Sequence, residues 1–259
     1  MRKVGILKID VSAHKVQQME DYVAEEKPFF IFLNKTHYVT ILCSPSDLKD
    51  LVVGQLLSQN IIKTIKEIEK LELKEETCHV KLVGTVDLAK RLKLSEMSQR
   101  VVHSVCGSPS PHLYSGKTLK VKSDLKVEAQ TIQKCVARLN SLAETFRKTG
   151  GVHVAAVYGS DGTLVAFAED VGRHNAVDKA VGKAALTGAR FSQCFLALSG
   201  RMTDDIVRKA ARVAIPVVAS LAAAIDSGIK IAQETELTLV GFVRGNRMNV
   251  YTFPERILA

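Results

Sequence analysis

The chain has 259 residues, carries 36 Lys and Arg against 27 Asp and Glu for a formal charge of +9, and is 46% hydrophobic and 24% charged. These values exclude a disordered tail, a collagen-like repeat and a disulfide-stapled miniprotein, and the length suits one large domain or two modest ones. No apolar run approaches the roughly 20 residues a membrane span needs. The start, MRKVGILKIDVSAHKVQQ, turns polar early and lacks a small-residue cleavage site, so a cytoplasmic protein is expected. The excess charge leaves three uses open: nucleic acid, a phosphate-bearing ligand, or solubility.

Residues 1–125 read as strand-rich and lysine-rich. Lys27 to Leu33 and Thr36 to Cys43 form two apolar runs around Asn34-Lys35, which predicts two strands and a tight turn. Ser44-Pro45-Ser46-Asp47 then opens a helix whose inner face is Leu48, Leu51, Val52, Leu56 and Leu57. Residues 67–86 read as further strands, and Leu92 to Ser104 has no clear period.

From residue 126 onward helix and strand alternate. Ile132, Val136, Leu139, Leu142 and Phe146 recur at spacings of three and four, predicting one amphipathic helix that ends at Gly150-Gly151. Val152–Tyr158 and Thr163–Phe167 flank Gly159-Ser160-Asp161-Gly162, a hairpin by turn chemistry. A helix over 174–187, strand 194–198, helix 203–214, strand 216–220, helix 225–235 and strand 238–243 follow, and Asn249 to Thr252 closes the sheet. This order predicts an α/β fold, a layered mixed sheet with flanking helices.

The five cysteines, Cys43, Cys78, Cys106, Cys135 and Cys194, are odd in number and widely spaced. That pattern gives no zinc-ligand pair and reads as reduced thiols. Cys43, Cys135 and Cys194 sit in apolar strand or helix patterns and read as buried small hydrophobes. Cys78, between Thr77 and His79, carries no signal. Cys106 differs: Val105-Cys106-Gly107-Ser108-Pro109-Ser110-Pro111 is loop composition, which suits an accessible thiol, although by itself an incidental loop cysteine is the commoner case.

Three strand-end loops are dense in polar residues and glycine. Glu169 to Lys179 holds Arg173, His174 and Asn175 at a helix start, with Asp178 and Lys179 one turn on. His174 or Asn175 would cap that helix, or the free N–H groups would face an anion. Ser199-Gly200-Arg201-Met202-Thr203 precedes an acidic helix start, either a plain β-to-α connection or an anion nest. Phe242-Val243-Arg244-Gly245-Asn246-Arg247 places two arginines around a Gly-Asn pair, suited to phosphate or a flat heterocycle and also to a common hairpin turn. Taken together, Arg173, Arg201, Arg244 and Arg247 suggest one large anionic, heterocyclic ligand. Neither a Walker A nor a GxGxxG pattern is present. His153, inside a strand-like run, reads as a core histidine.

At EDVGRHNAVDKAVG (169–182) the sequence resembles the formate dehydrogenase accessory sulfurtransferases, the FdhD family. The likeness extends through TGGVHVAA (149–156), LSGRMTDDIVRKAARVAIPVVAS (198–220) and TLVGFVRGNRMNVYTFPERI (238–257), and more loosely through residues 26–62. The resemblance implies a cytidine-deaminase-like C-terminal domain without catalytic zinc over 126–259. It adds a smaller strand-rich N-terminal subdomain over 1–125, and a homodimer. It further implies a sulfur carrier that takes persulfide sulfur from a cysteine desulfurase and passes it to the molybdenum bis(molybdopterin guanine dinucleotide) cofactor of formate dehydrogenase, with GDP as a mimic of that cofactor. Cys106 matches the family's persulfide-carrying position, and Phe242 to Arg247 match its cofactor-binding segment. The family's CGxCG loop is here Cys106-Gly107-Ser108-Pro109-Ser110, so Pro109 stands where the second cysteine would be. A two-thiol mechanism is therefore not available, and a non-catalytic, cofactor-binding chaperone is the alternative. No RNA or DNA module and no membrane segment is recognisable, and 5% aromatic residues leave little for base stacking.

Overall fold

A computed structural model describes residues 1–95, 101–102 and 120–259. Cys106 lies outside the described residues. The chain opens with a two-stranded ribbon, β1 (Arg2–Asp10) and β2 (Lys15–Val23), which among the described residues pair only with each other. Next come β3 (Lys27–Leu33) and β4 (Thr36–Cys43), joined by Asn34 and Lys35, both at positive φ. This is the expected tight turn, in the mirror-image form that matches strand twist. After α1 (Leu48–Ser58) come β5 (Ile68–Lys74), β6 (Thr77–Leu82), α2 (Leu88–Ser95) and β7 (Val101–Val102). Together they make a five-stranded sheet in the order β5-β6-β3-β4-β7.

The second half begins with the short β8 (Val127–Glu128), then α3 (Ala129–Leu142) and α4 (Glu144–Thr149). The single helix expected here is two, broken at Ala143, whose extended backbone ends one helix and starts the next. Apolar spacing alone cannot register that break, because Leu142 and Phe146 stay in phase across it. The strand and helix order then runs β9 (His153–Gly159), β10 (Leu164–Asp170), α5 (Arg173–Leu186), β11 (Cys194–Leu198), α6 (Asp204–Arg212), β12 (Val217–Ser220), α7 (Asp226–Thr235), β13 (Thr238–Arg244), β14 (Arg247–Thr252) and β15 (Ile257–Leu258). From Arg173 to Thr252 these boundaries fall within two residues of the pattern reading.

The larger sheet has the order β10-β9-β11-β12-β13-β14. Its centre, β11-β12-β13, is parallel, while β9, β10 and β14 join antiparallel to their neighbours. Side chains alternate between two cores as strand geometry requires. Val154, Ala156, Tyr158, Phe195 and Ala197 face α3, and Ala155, Val157, Leu196 and Leu198 face the core shared with α1, α5 and α6. That second core continues without interruption into Phe29, Ile31, Ile41 and Val80 of the five-stranded sheet.

Helices α1 and α5 lie between the two sheets. Every residue of α1 from Leu51 to Ser58 is buried, so the one-sided face read from the sequence is too narrow. The reason is a glycine crossing: a Cβ on Gly54 would collide with the Asp178 carbonyl, and one on Gly182 with the Asp50 carbonyl. Backbone meets backbone there, and both sides of α1 are covered. Among the described residues no helix is long and apolar enough to cross a membrane.

Candidate anion site at one end of the sheet

The carboxyl ends of β10, β11, β12 and β13 and the amino end of β9 all fall on the same edge of the large sheet. From β10 to β13 is four strand spacings, about 19 Å. All three polar loops read from the sequence therefore converge on one end, as is usual for ligand sites in open α/β sheets.

The loop after β10 turns mostly inward. Asp170 is fully buried and accepts from the backbone N–H groups of Gly172 (2.8 Å) and Ser44 (3.0 Å), and from the Asn175 amide (3.0 Å). It also pairs with Lys179 at 2.6 Å. Burial pushes the Asp170 carboxyl up from its ordinary value, and Lys179 works against that shift. Asn175 donates its other amide hydrogen to the Leu42 carbonyl at 2.8 Å, so both its donors are used inside the protein. One turn on, Asp178 accepts from Lys209 Nζ at 2.7 Å and from Ser58 Oγ at 2.6 Å. Neither His174 nor Asn175 caps the helix. Gly172 takes the N-cap position and no side chain bonds there. Asn175, Asp178 and Lys179 thus tie α5 to the first half of the chain and do not face outward.

Arg173 and His174 remain at the sheet end. Gly200 lies against them: a Cβ there would come within 3.1 Å of Arg173 Cβ and 3.5 Å of His153 Nδ1. The glycine is what lets the Arg173 stem and the His153 ring sit beside the Ser199–Arg201 turn. Ser199 Oγ accepts from the Val154 N–H at 3.0 Å and lies 3.5 Å from His153 Nδ1. Burial, reinforced by the positive charge of Arg173, holds the His153 imidazole below its ordinary value. His174 is 5% exposed, neither ring nitrogen has a hydrogen-bond partner, and Nε2 stands 3.9 Å from Asp205 Oδ2. Burial, together with the nearby Lys209 and Arg173 cations, holds its pKa well below the ordinary value, so its ring is neutral at pH 7. Arg201 is exposed at the turn.

The third segment joins the same end through the backbone. Phe242 donates its N–H to the Ala222 carbonyl at 3.0 Å, and Arg244 Nε donates to the Leu221 carbonyl at 2.9 Å. Ser220, absent from the sequence reading, links the turns: its hydroxyl donates toward Gly200 O (2.7 Å) and Leu198 O (3.1 Å) and accepts from the Ala222 N–H (3.0 Å). Strand β13 runs on to Arg244, so residues 242–247 are a hairpin end and not a free loop. Phe242 holds φ 52 and is 38% exposed, Val243 is buried in the core, and Gly245 turns the chain at φ 55. Gln133 of α3 donates to the Gly245 carbonyl at 2.6 Å and fixes the tip. Arg244, Asn246 and Arg247 are exposed.

The four other cysteines contrast with this surface. Cys43, Cys78, Cys135 and Cys194 are all buried. Burial pushes the thiols of Cys43 and Cys78 up to about 12 and raises those of Cys135 and Cys194. Cys43 borders a cleft of about 360 Å³ lined by Pro28, Phe29, Pro45, Leu48 and Glu76, which contains none of the four arginines.

Fold and site define an α/β protein with a cationic, aromatic-flanked rim at the carboxyl edge of a mixed sheet. Residues 24–258 match the FdhD/NarQ family, and the chain belongs to it. It is 36% identical to a protein of Sulfolobus acidocaldarius named sulfur carrier protein FdhD, over 99% of this chain and 98% of that one. It is 33% identical to the Bacillus subtilis protein of the same name, over 94% and 93% of the two chains. A solved structure described as a candidate formate dehydrogenase accessory protein from Desulfotalea psychrophila superposes with a TM-score of 0.78 at 26% identity, covering 99% of each chain.

Proposed function

We propose that this protein is a sulfur carrier in the maturation of a formate dehydrogenase. A cysteine desulfurase donates, Cys106 carries, and the molybdenum bis(molybdopterin guanine dinucleotide) cofactor receives, as substrate, at the arginine-bearing sheet end. The observation that carries this reading is the state of the thiols. Four of the five cysteines are buried with raised pKa, and a protonated, enclosed thiol is a poor nucleophile, so the carrier role falls to Cys106. In the loading step the Cys106 thiolate attacks the outer sulfur of the donor's persulfide. The donor leaves as its own thiolate, and Cys106 holds the sulfane sulfur, as in disulfide exchange.

Arg173, His174, Ser199, Gly200 and Arg201 at one side of the rim, and Phe242 to Arg247 at the other, suit an extended ligand with anionic phosphates and flat guanine rings. Among the proposed contacts, Asn175 and Val243 act indirectly, through their buried positions. The strand order β10-β9-β11-β12-β13, with β9 antiparallel to β11, supports the cytidine-deaminase-like relation of this half.

Incubation with a cysteine desulfurase and cysteine, followed by intact-mass measurement, should add about 32 Da, one sulfur atom, to the wild type and nothing to Cys106→Ala. An adduct that survives Cys106→Ala refutes the carrier assignment. Retention of dehydrogenase maturation by Cys106→Ala, with GDP binding intact, would establish the chaperone reading instead.

A further inference from the structure

The sheet end holds a titratable side chain outside the proposed contacts. His153 opens β9, and its strand partner at that edge is Asp170. A Cβ on Gly200 would meet both the Arg173 stem and the His153 ring, so the two side chains share one glycine face. The His153 ring is half-buried, and of its two nitrogens only Nδ1 faces a protein group, Ser199 Oγ at 3.5 Å. Nε2 makes no hydrogen bond among the described residues. His174 differs in kind, because both its nitrogens are enclosed and cannot meet a ligand without rearrangement.

Ser199 suits either protonation state of its neighbour. Its oxygen accepts the Val154 N–H at 3.0 Å, which leaves the hydroxyl hydrogen to donate to a neutral Nδ1. A cationic ring would instead donate from Nδ1 to the remaining lone pair of the same oxygen. The surrounding charges decide which state holds. Arg173 from α5 and Arg201 from the turn after β11 oppose a proton on His153. Asp170 from β10 favours one, but its carboxylate is already paired with Lys179 at 2.6 Å. His174 of α5 is neutral at pH 7. Unopposed, burial and the two guanidiniums keep His153 neutral as well. A phosphate laid on Arg173 and Arg201 reverses that balance, since it offsets both cations and sets negative charge beside the ring.

We infer that His153 is a binding residue of this edge and a conditional cation: a phosphate-bearing ligand is taken up together with one proton, which enters at Nδ1 and makes Nε2–H a charge-assisted donor to a phosphate oxygen. The inference rests on the reading of this edge as a phosphate site and adds a specificity to it. Ligands with phosphate charge gain from the bound proton, and uncharged heterocycles do not. By linkage, whatever the proton adds to ligand affinity the ligand adds to proton affinity.

Two measurements on the chain with GDP test it. In proton NMR of the wild type, the titration midpoint of the His153 ring should rise by about one pH unit on saturation with GDP. In calorimetry the wild type is compared with His153→Gln, which keeps a hydrogen-bonding side chain and cannot become a cation. The ratio of the two association constants cancels the ionisation of GDP itself. It should fall from about ten at pH 5.5 to about one at pH 8.5, because the gain is present below the pKa of the bound state and lost above it. A midpoint unmoved by GDP, or a ratio constant over that range, overturns the inference. The phosphate site itself still stands in that case if Arg201→Ala weakens GDP binding. A wild type that binds no GDP at any pH refutes both the inference and the site.

Discussion

Lys179 Nζ lies 2.6 Å from Asp170 Oδ2, and neither side chain has any exposure to solvent. The same ammonium donates to the Ser44 carbonyl at 2.9 Å, so one buried cation ties the end of β10, the start of α5 and the loop before α1. Replacing a single member of a buried pair leaves a stranded charge, which costs about 3–5 kcal/mol. Lys179→Met should therefore lower the urea-unfolding free energy by that amount. The paired change Lys179→Met with Asp170→Asn should recover part of it.

The α1–α5 crossing gives a second prediction. Gly54→Ala would drive a methyl into the Asp178 carbonyl, and Gly182→Ala one into Asp50. Backbone cannot rotate away as a side chain can, so each change should cost about 3 kcal/mol or more. A drop in Tm in both variants, larger than for the exposed Gly84→Ala, checks it.

His174 ties stability to pH. Its folded pKa is held well below 6.5, so below that pH the unfolded chain binds a proton that the folded one refuses. The contribution is complete above about 6.5 and is lost as pH falls toward the folded pKa, by up to about 1.4 kcal/mol per unit. Denaturation at pH 7.5 and pH 5.5 should show the wild type losing more stability on acidification than His174→Gln does.

The sheet-end arginines should show themselves through GDP. Arg201→Ala and Arg247→Ala each remove an exposed guanidinium without touching the core, and each should weaken GDP binding roughly tenfold in calorimetry. Lys66→Ala, an exposed cation in the first half, should leave it unchanged. Ser220→Ala, which unties Gly200 from Ala222, should weaken binding several-fold while the far-ultraviolet circular dichroism stays that of the wild type.

How far the sequence reveals this molecule depends on how local each feature is. Strand β11 and helices α5, α6 and α7 are marked by apolar period and by the polar, glycine-bearing segments between them, and they fall where the pattern puts them. The ribbon β1–β2 is not legible. Its apolar residues lie on both faces among Lys, Gln and Glu, so no single buried face imposes an alternation. Loop composition marks Arg173, Arg201 and Arg244 one by one, and the sheet topology brings them to a common end. Asn175, Asp178 and Lys179 mislead for a physical reason. Apart from Asp170, which pairs with both Asn175 and Lys179, their partners Leu42, Ser58, Ser44 and Lys209 lie 31 to 135 residues away, so little in the local sequence tells a ligand-facing polar group from a buried, paired one. One clue is present: Asp178 and Lys179 stand between Ala176-Val177 and Ala180-Val181, apolar on both sides. His153, read as a core histidine, is half-buried beside Ser199 and Gly200.

Phe242 keeps a large side chain at φ 52, a conformation that costs a bulky residue about 1–3 kcal/mol and suits glycine. Its ring is only partly covered in return, being 38% exposed. On the proposed function, backbone strain and ligand capture pull against each other at this one position. Phe242→Gly should melt higher than the wild type and bind GDP more weakly, so a screen for thermal robustness would favour the very change that empties the rim of its aromatic face.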